Sequence, residues 1–176
     1  NINNQSLNND VVAQEVKAAK VESVKNFTLG SQHAVFSDQD YTFYGCSGIK
    51  EIKLPENITS IGNYAFYGCS SLESIRIPDS VTALGKSAFE GSGLKQIEIG
   101  TGITSIPDGA FRLCGSLTSI TIPDSVTSIG EYAFFGCSSL TSITIGNSVT
   151  SIGNFAFYDC SSLTSITIGG SVTSIG

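Results

Sequence analysis

A chain of 176 residues with 40% hydrophobic and 14% charged positions can bury a real core and is too apolar to be disordered. Nine Lys and Arg against fifteen Asp and Glu give a net charge of −6, which argues against nucleic acid or an anionic membrane as partner. No apolar run reaches the roughly 18 residues needed to cross a bilayer, and the single histidine, His33, leaves little acid-base chemistry near neutral pH.

The first residues, Asn1 to Asp10, are polar and lack the basic start and apolar run of a signal peptide. Residues 1–37 stand apart from the rest of the chain. Val12, Val16, Ala19 and Val24 share one face, with Asp10 as a candidate cap residue, so 11–24 reads as a helix or an extended cap over the first coil. Phe27 to Phe36 reads as a degenerate coil.

From residue 38 the chain repeats itself. Ile129 to Ser151 reads IGEYAFFGCSSLTSITIGNSVTS, and Ile152 to Ser174 reads IGNFAFYDCSSLTSITIGGSVTS. The same frame fits 106–128, 84–105, 61–83 and 38–60, so six copies precede the start of a seventh at Ile175-Gly176. The unit is 23 residues; only 84–105 is one shorter, where Gly91 to Leu94 (GSGL) replaces GCSSL. The pattern breaks off in mid-repeat, so a longer natural protein is expected, and an end-to-end association through the open last coil with it.

Each copy carries the same apolar positions, in 61–83 Ile61, Ala65, Phe66, Cys69, Leu72, Ile75, Ile77 and Val81. Leu72-x-x-Ile75-x-Ile77 ends in period two, which predicts strands at 49–54, 72–77, 94–99, 117–122, 140–145 and 163–168. Turns follow at Pro78-Asp79-Ser80, Pro123-Asp124-Ser125 and Gly146-Asn147-Ser148. Val81 and Leu84 predict a return strand or extended arm. Asn63 to Cys69 predicts a short helical turn stopped by Gly68. No copy can bury its apolar face alone, so the expected fold is an α/β repeat solenoid, right-handed, with a parallel sheet and short helical turns. Six coils about 4.8 Å apart make a rod roughly 30 Å long.

The five cysteines, Cys46, Cys69, Cys114, Cys137 and Cys160, hold one position of the repeat. Metal binding and catalysis lack a C-x-x-C pair and a histidine partner, and register neighbours offer poor disulfide geometry. A ladder of buried thiols is favoured. Ser92 or Gly93 takes that position in the short copy. The paired serines recur only because the repeat recurs, and no base accompanies them, so no enzyme and no cofactor is expected.

The motif SLTSITIPDSVTSIGEYAFFGCSSL, Ser116 to Leu140, resembles the BspA-like leucine-rich repeats of bacterial and protist surface proteins. The resemblance covers about 38–176. It departs from the commoner leucine-rich repeat, which follows the strand with Asn or Cys, so an asparagine ladder should be absent. It implies a secreted or surface-anchored binding protein, adhesin-like, whose partners are host matrix or other microbial surface proteins. The other reading is a passive spacer or targeting module of a larger secreted protein.

Two surfaces offer candidate sites. On the strand face the first coils expose Lys50, Glu51 and Lys53, then Glu73, Ser74 and Arg76, then Lys95, Gln96 and Glu98. The last three coils carry only Thr and Ser there, from Thr118 to Thr167. Mixed charge can steer a protein partner and fix its register, and it can equally keep a parallel sheet soluble. The helical turns pair Tyr41 with Tyr44, Tyr64 with Tyr67, Tyr132 with Phe135 and Phe155 with Tyr158. The middle coils break these ladders with Ser87, Gly109, Glu90 and Arg112, the last two in register for an exposed ion pair.

Overall fold

The computed structural model describes the backbone of Phe27–Thr28 and residues 40–176. The expected cap at 11–24 and His33 lie outside these residues. Short strands follow one another as β1 (Phe27–Thr28), β2 (Ile52–Lys53), β3 (Ser60–Ile61), β4 (Ser74–Ile77), β5 (Ala83–Leu84), β6 (Gln96–Ile99), β7 (Ser105–Ile106), β8 (Ser119–Ile122), β9 (Ser128–Ile129), β10 (Ser142–Ile145), β11 (Ser151–Ile152) and β12 (Ser174–Ile175). Every pairing among them is parallel, and all but β1–β2 join strands one repeat apart, such as Ser142 opposite Ser119 and Ser151 opposite Ser128. β1 pairs with β2 where the strand of an earlier coil would stand.

The longer strands β4, β6, β8 and β10, with β2, make the strand face. The expected arm at Val81 and Leu84 is the second, two-residue strand of each coil, here β5. Around the expected strand at 163–168 the ladder shrinks to one bridge, Thr144 to Thr167.

The short helical turns are absent: none of the described residues is helical. Along 64–69 every second amide is used within the coil, Ala65 N to Gly62 O at 3.3 Å and Tyr67 N to Tyr64 O at 3.2 Å. The others cross to the next coil, Tyr64 N to Lys86 O at 2.9 Å, Phe66 N to Ala88 O at 2.7 Å and Gly68 N to Glu90 O at 2.8 Å. Amides given to the neighbour are lost to the i→i−4 bonds of a helix. Tyr64 also sits in the left-handed region, φ 56°, as do Tyr41, Ser87, Tyr132 and Phe155 at the same position.

Inside the stack the fully buried rings of Phe43, Phe66, Phe89, Phe111 and Phe134 form one column. Successive centroids lie 5.2, 5.2, 5.6 and 5.4 Å apart, and Phe157 continues at 5.4 Å. The cysteine ladder runs beside it.

Two features depart from the regular repeat. Rows of side chains, aspartate in all but one case, cap the amides of the next coil. Asp40, Asn63 and Asp108 accept from the amides of Asn63, Lys86 and Glu131, and Asp79 and Asp124 from those of Thr101 and Asn147, all at 2.8–2.9 Å. Asp serves this purpose as well as Asn, because only the acceptor oxygen is needed.

Proline interrupts the ladders. β4 and β8 run into Pro78 and Pro123; β4 meets β2 only through the Glu51–Ser74 bridge, and β8 has no ladder to β6. β6 and β10 run into Gly100 and Gly146 and pair fully with the coil before. On the other sheet Gly130, Gly153 and Gly176 each donate to the isoleucine carbonyl of the preceding coil, at 2.7–2.9 Å. Pro107 holds that position after β7 and has no amide to give, and β7 is not laddered to β5. Both sheets therefore break in the same plane, with β5 and β6 on one side and β7 and β8 on the other.

Candidate protein-binding face

All seven charged residues singled out in the sequence are exposed on the first three coils of the strand face. Their side chains project because Ile52, Ile75 and their equivalents take the inward positions of the pleat. Arg76 is the centre of the group. Its Nη1 lies 2.6 Å from Glu56 and its Nε 3.4 Å from Glu98, its register partner on β6. Lys95 reaches Glu73 at 3.2 Å. These pairs remain open to solvent, so each is worth about 0–1 kcal/mol and orients side chains more than it stabilises the fold.

A depression of about 460 Å³ lies over this group, bordered by Glu51, Lys53, Glu56, Arg76, Gln96 and Glu98. Lys50 stands outside it, and Lys95 with Glu73 forms a separate pair beside it. Glu56 carries no strand signal in the sequence, because it sits in the turn after β2, at the repeat position of Asp79. Four of the chain's nine basic residues gather here, balanced by Glu51, Glu56, Glu73 and Glu98.

The other half of the face is uniform. Ser119 stands opposite Ser142 and Thr121 opposite Thr144. Thr118 and Thr141 turn their hydroxyls back onto the carbonyls of Lys95 and Thr118, at 3.3 and 3.1 Å, which leaves them little to offer a ligand.

The cysteines carry no such surface. All five are buried and none is in a disulfide. Cys69, Cys114, Cys137 and Cys160 each donate an S–H to a phenylalanine carbonyl of the preceding coil at 3.1–3.2 Å. Ser92, buried and 3.4 Å from Cys114 Sγ, takes the cysteine position of the short coil; Gly93 does not. Burial pushes the Cys114 thiol up to about 12 and raises those of Cys137 and Cys160, so none of these three is a thiolate nucleophile near neutral pH. The same burial sets a pH limit. The folded thiol keeps its proton where the unfolded one loses it, so this contribution is intact below about 9 and declines as pH rises toward the folded value. The urea midpoint is expected to fall between about pH 9 and 12, and less steeply in a Cys114→Ala/Cys137→Ala double variant. Equal slopes in the two proteins would refute the assignment.

Among the described residues no group of His, Cys, Asp and Glu is placed to hold a metal ion, and no helix is long and apolar enough to cross a membrane.

Parallel strands one repeat apart, an inward leucine and isoleucine set and one short turn per coil define a leucine-rich-repeat solenoid. The model of the BspA type leucine rich repeat region matches residues 36–120 and 104–176, with six copies, and the chain belongs to that family. A leucine-rich repeat protein from Bacteroides ovatus is similar at 30% identity and a TM-score of 0.82, over 90% of this chain and 41% of that one. A leucine rich cell surface protein from Faecalibacterium prausnitzii is 28% identical over 82% of this chain and 48% of its own, TM-score 0.67. The leucine rich repeat protein of T. pallidum is 33% identical over 71% of this chain and 68% of its own, TM-score 0.65. The chain thus spans less than half of the first two proteins. No curated protein sequence matches it.

Proposed function

We propose that the chain is a non-catalytic protein-binding solenoid of a secreted or cell-surface protein, adhesin-like, engaging host matrix or other surface proteins through the charged half of its strand face. The observation that carries this reading is the contrast along one face. Individual, ion-paired side chains surround a depression on the first coils, and a repeated Thr/Ser surface fills the rest. A partner can find a unique register only on the first part. The name of the Faecalibacterium relative, a cell surface protein, agrees with that placement.

The test is a Lys53→Ala/Arg76→Ala/Lys95→Ala variant, applied to a panel of immobilised matrix proteins at low and high salt. Binding to one of them is expected to weaken about tenfold or more, with the unfolding midpoint nearly unchanged. Equal binding by the variant would remove the charged face from consideration.

A second reading is favoured by the near identity of 129–151 and 152–174: these coils act as a spacer that holds other parts of a longer protein apart. Failure to bind any member of the panel would support it.

A further inference from the structure

The turn side of the stack carries a second candidate site. Two aromatic blocks flank a gap. On one side Tyr41 stacks on Tyr64 at 5.0 Å and Tyr44 on Tyr67 at 4.8 Å. On the other Tyr132 stacks on Phe155 at 5.3 Å and Phe135 on Tyr158 at 5.5 Å. Between them two successive coils put Ser87 and Gly109 where the inner ring would stand, and Glu90 and Arg112 where the outer ring would stand. The ladder thus lacks its middle members, and one face of Tyr64 looks into the gap.

The gap is a notch of about 160 Å³ between Tyr64 and Tyr132. A cavity of about 150 Å³ holds a benzene ring. Its polar groups are set, not loose. Glu90 is 8% exposed, far more buried than any other carboxylate of residues 40–176. Arg112 Nη1 lies 3.6 Å from Glu90 Oε1, and the guanidinium lies over the rings of Tyr132 and Phe135, 5.6 and 5.3 Å from their centroids. Arg112 Nε is buried and finds no acceptor. A β-carbon on Gly109 would come within 2.8 Å of Ser87 Oγ and 3.6 Å of Glu90 Oε2, so these two oxygens converge on the floor. Lys86 and Asp108, 3.9 Å apart, stand at the rim. All six basic residues of 40–176 lie either here or on the strand face.

We propose that this notch is a binding site for one aromatic side chain with a hydrogen-bond donor on its edge, a tryptophan or tyrosine, presented by a protein partner. The ring extends the inner column by one member from Tyr64, at the spacing the chain's own rings adopt. Its N–H or O–H donates to the Glu90 carboxylate or to Ser87 Oγ, both acceptors set between the rings of Tyr64 and Tyr132. Arg112 cannot leave to solvent without giving up its stacking on Tyr132 and Phe135, so it closes the far side. A flat aliphatic chain offers Tyr64 no ring to stack on and adds no donor beyond Arg112 to Glu90, which sets the selectivity. The site is separate from the strand face and does not rest on its function.

The chain has no tryptophan, so the fluorescence of a tryptophan probe reports binding without background. The full chain is titrated with N-acetyl-tryptophanamide, N-acetyl-leucinamide and a methyl glucoside. Saturable binding of the first is expected, with the other two at least about tenfold weaker. Ser87→Tyr is expected to block the site, because it supplies the missing ring. Position 87 already has the left-handed φ that Tyr64 and Tyr132 adopt, so this variant folds and unfolds at a higher temperature than the parent. It should bind the probe about tenfold more weakly or worse, while the strand-face triple variant binds it normally. Glu90→Gln should lose part of the affinity and keep the fold. The proposal is overturned if the parent does not bind the probe, if Ser87→Tyr binds it equally well, or if the leucine or sugar probe binds as tightly.

Discussion

Replacing Phe89 by alanine is expected to destabilise the solenoid by about 4 kcal/mol, seen as a drop in the urea midpoint followed by circular dichroism. Phe89 is fully buried and stacks between Phe66 and Phe111, at 5.2 and 5.6 Å. Its removal leaves a ring-sized void in a wall made of other coils, which cannot collapse without shortening the stack. In a repeat array each coil is stabilised by its two neighbours, so one lost ring weakens two interfaces. Phe157, half-buried and stacked on Phe134, is expected to cost about half as much when truncated. Equal losses at 89 and 157 would mean that the column is not the coupling element.

Gly93→Ala should cost about 3 kcal/mol or more. A β-carbon at 93 would collide with the Ser70 carbonyl oxygen and lie 2.9 Å from its carbon. Both are backbone atoms, and the Gly93 amide, 3.1 Å from Cys69 O, ties the two coils together at that point. Relief therefore requires the coils to part. The short repeat closes only because glycine stands there, with the missing serine removed beside it. Gly170→Ala is the control. Nothing lies within 4 Å of its β-carbon, and its effect should stay within about 0.5 kcal/mol in the same melt.

Much of this was legible from spacing alone. Period 23 gave the coil register, and the inward set from Ile61 to Val81 matches the buried residues one for one. Alternation in a strand places Glu51, Lys53, Arg76 and Glu98 on the outer side, whereas Lys50, Glu73 and Lys95 are exposed because they precede the strands. What failed has common causes. Asn63 to Gly68 has the ring spacing and terminal glycine of a helical turn, but the pattern of one copy does not say that half its amides belong to the next. The acceptor rows were missed because Asp, Asn, Lys, Glu and Thr share those positions, which hides a row that needs only a side-chain oxygen. Glu90 and Arg112 were paired by register, but as an exposed pair, and the register alone does not show that Glu90 is buried. The interrupted sheets had a plain signal in Pro78 and Pro123, read only as turn residues, and in Pro107, which the repeat pattern passed over.

That last interruption gives the rod a mechanical character. Neither sheet carries a ladder across the plane between β6 and β7, where the strand side keeps the amide and hydroxyl of Thr118 donating to Lys95 O, both at 3.3 Å. On the turn side Ser87, Phe89 and Gly91 donate across to Asp108, Ala110 and Arg112 at 2.8–3.0 Å. The phenylalanine column is also at its widest there, 5.6 Å. A load applied along the axis meets two stiff segments joined by a spine on one side. The joint flexes first, opening toward the strand face, and a pulled chain yields there before any coil inside either segment gives way.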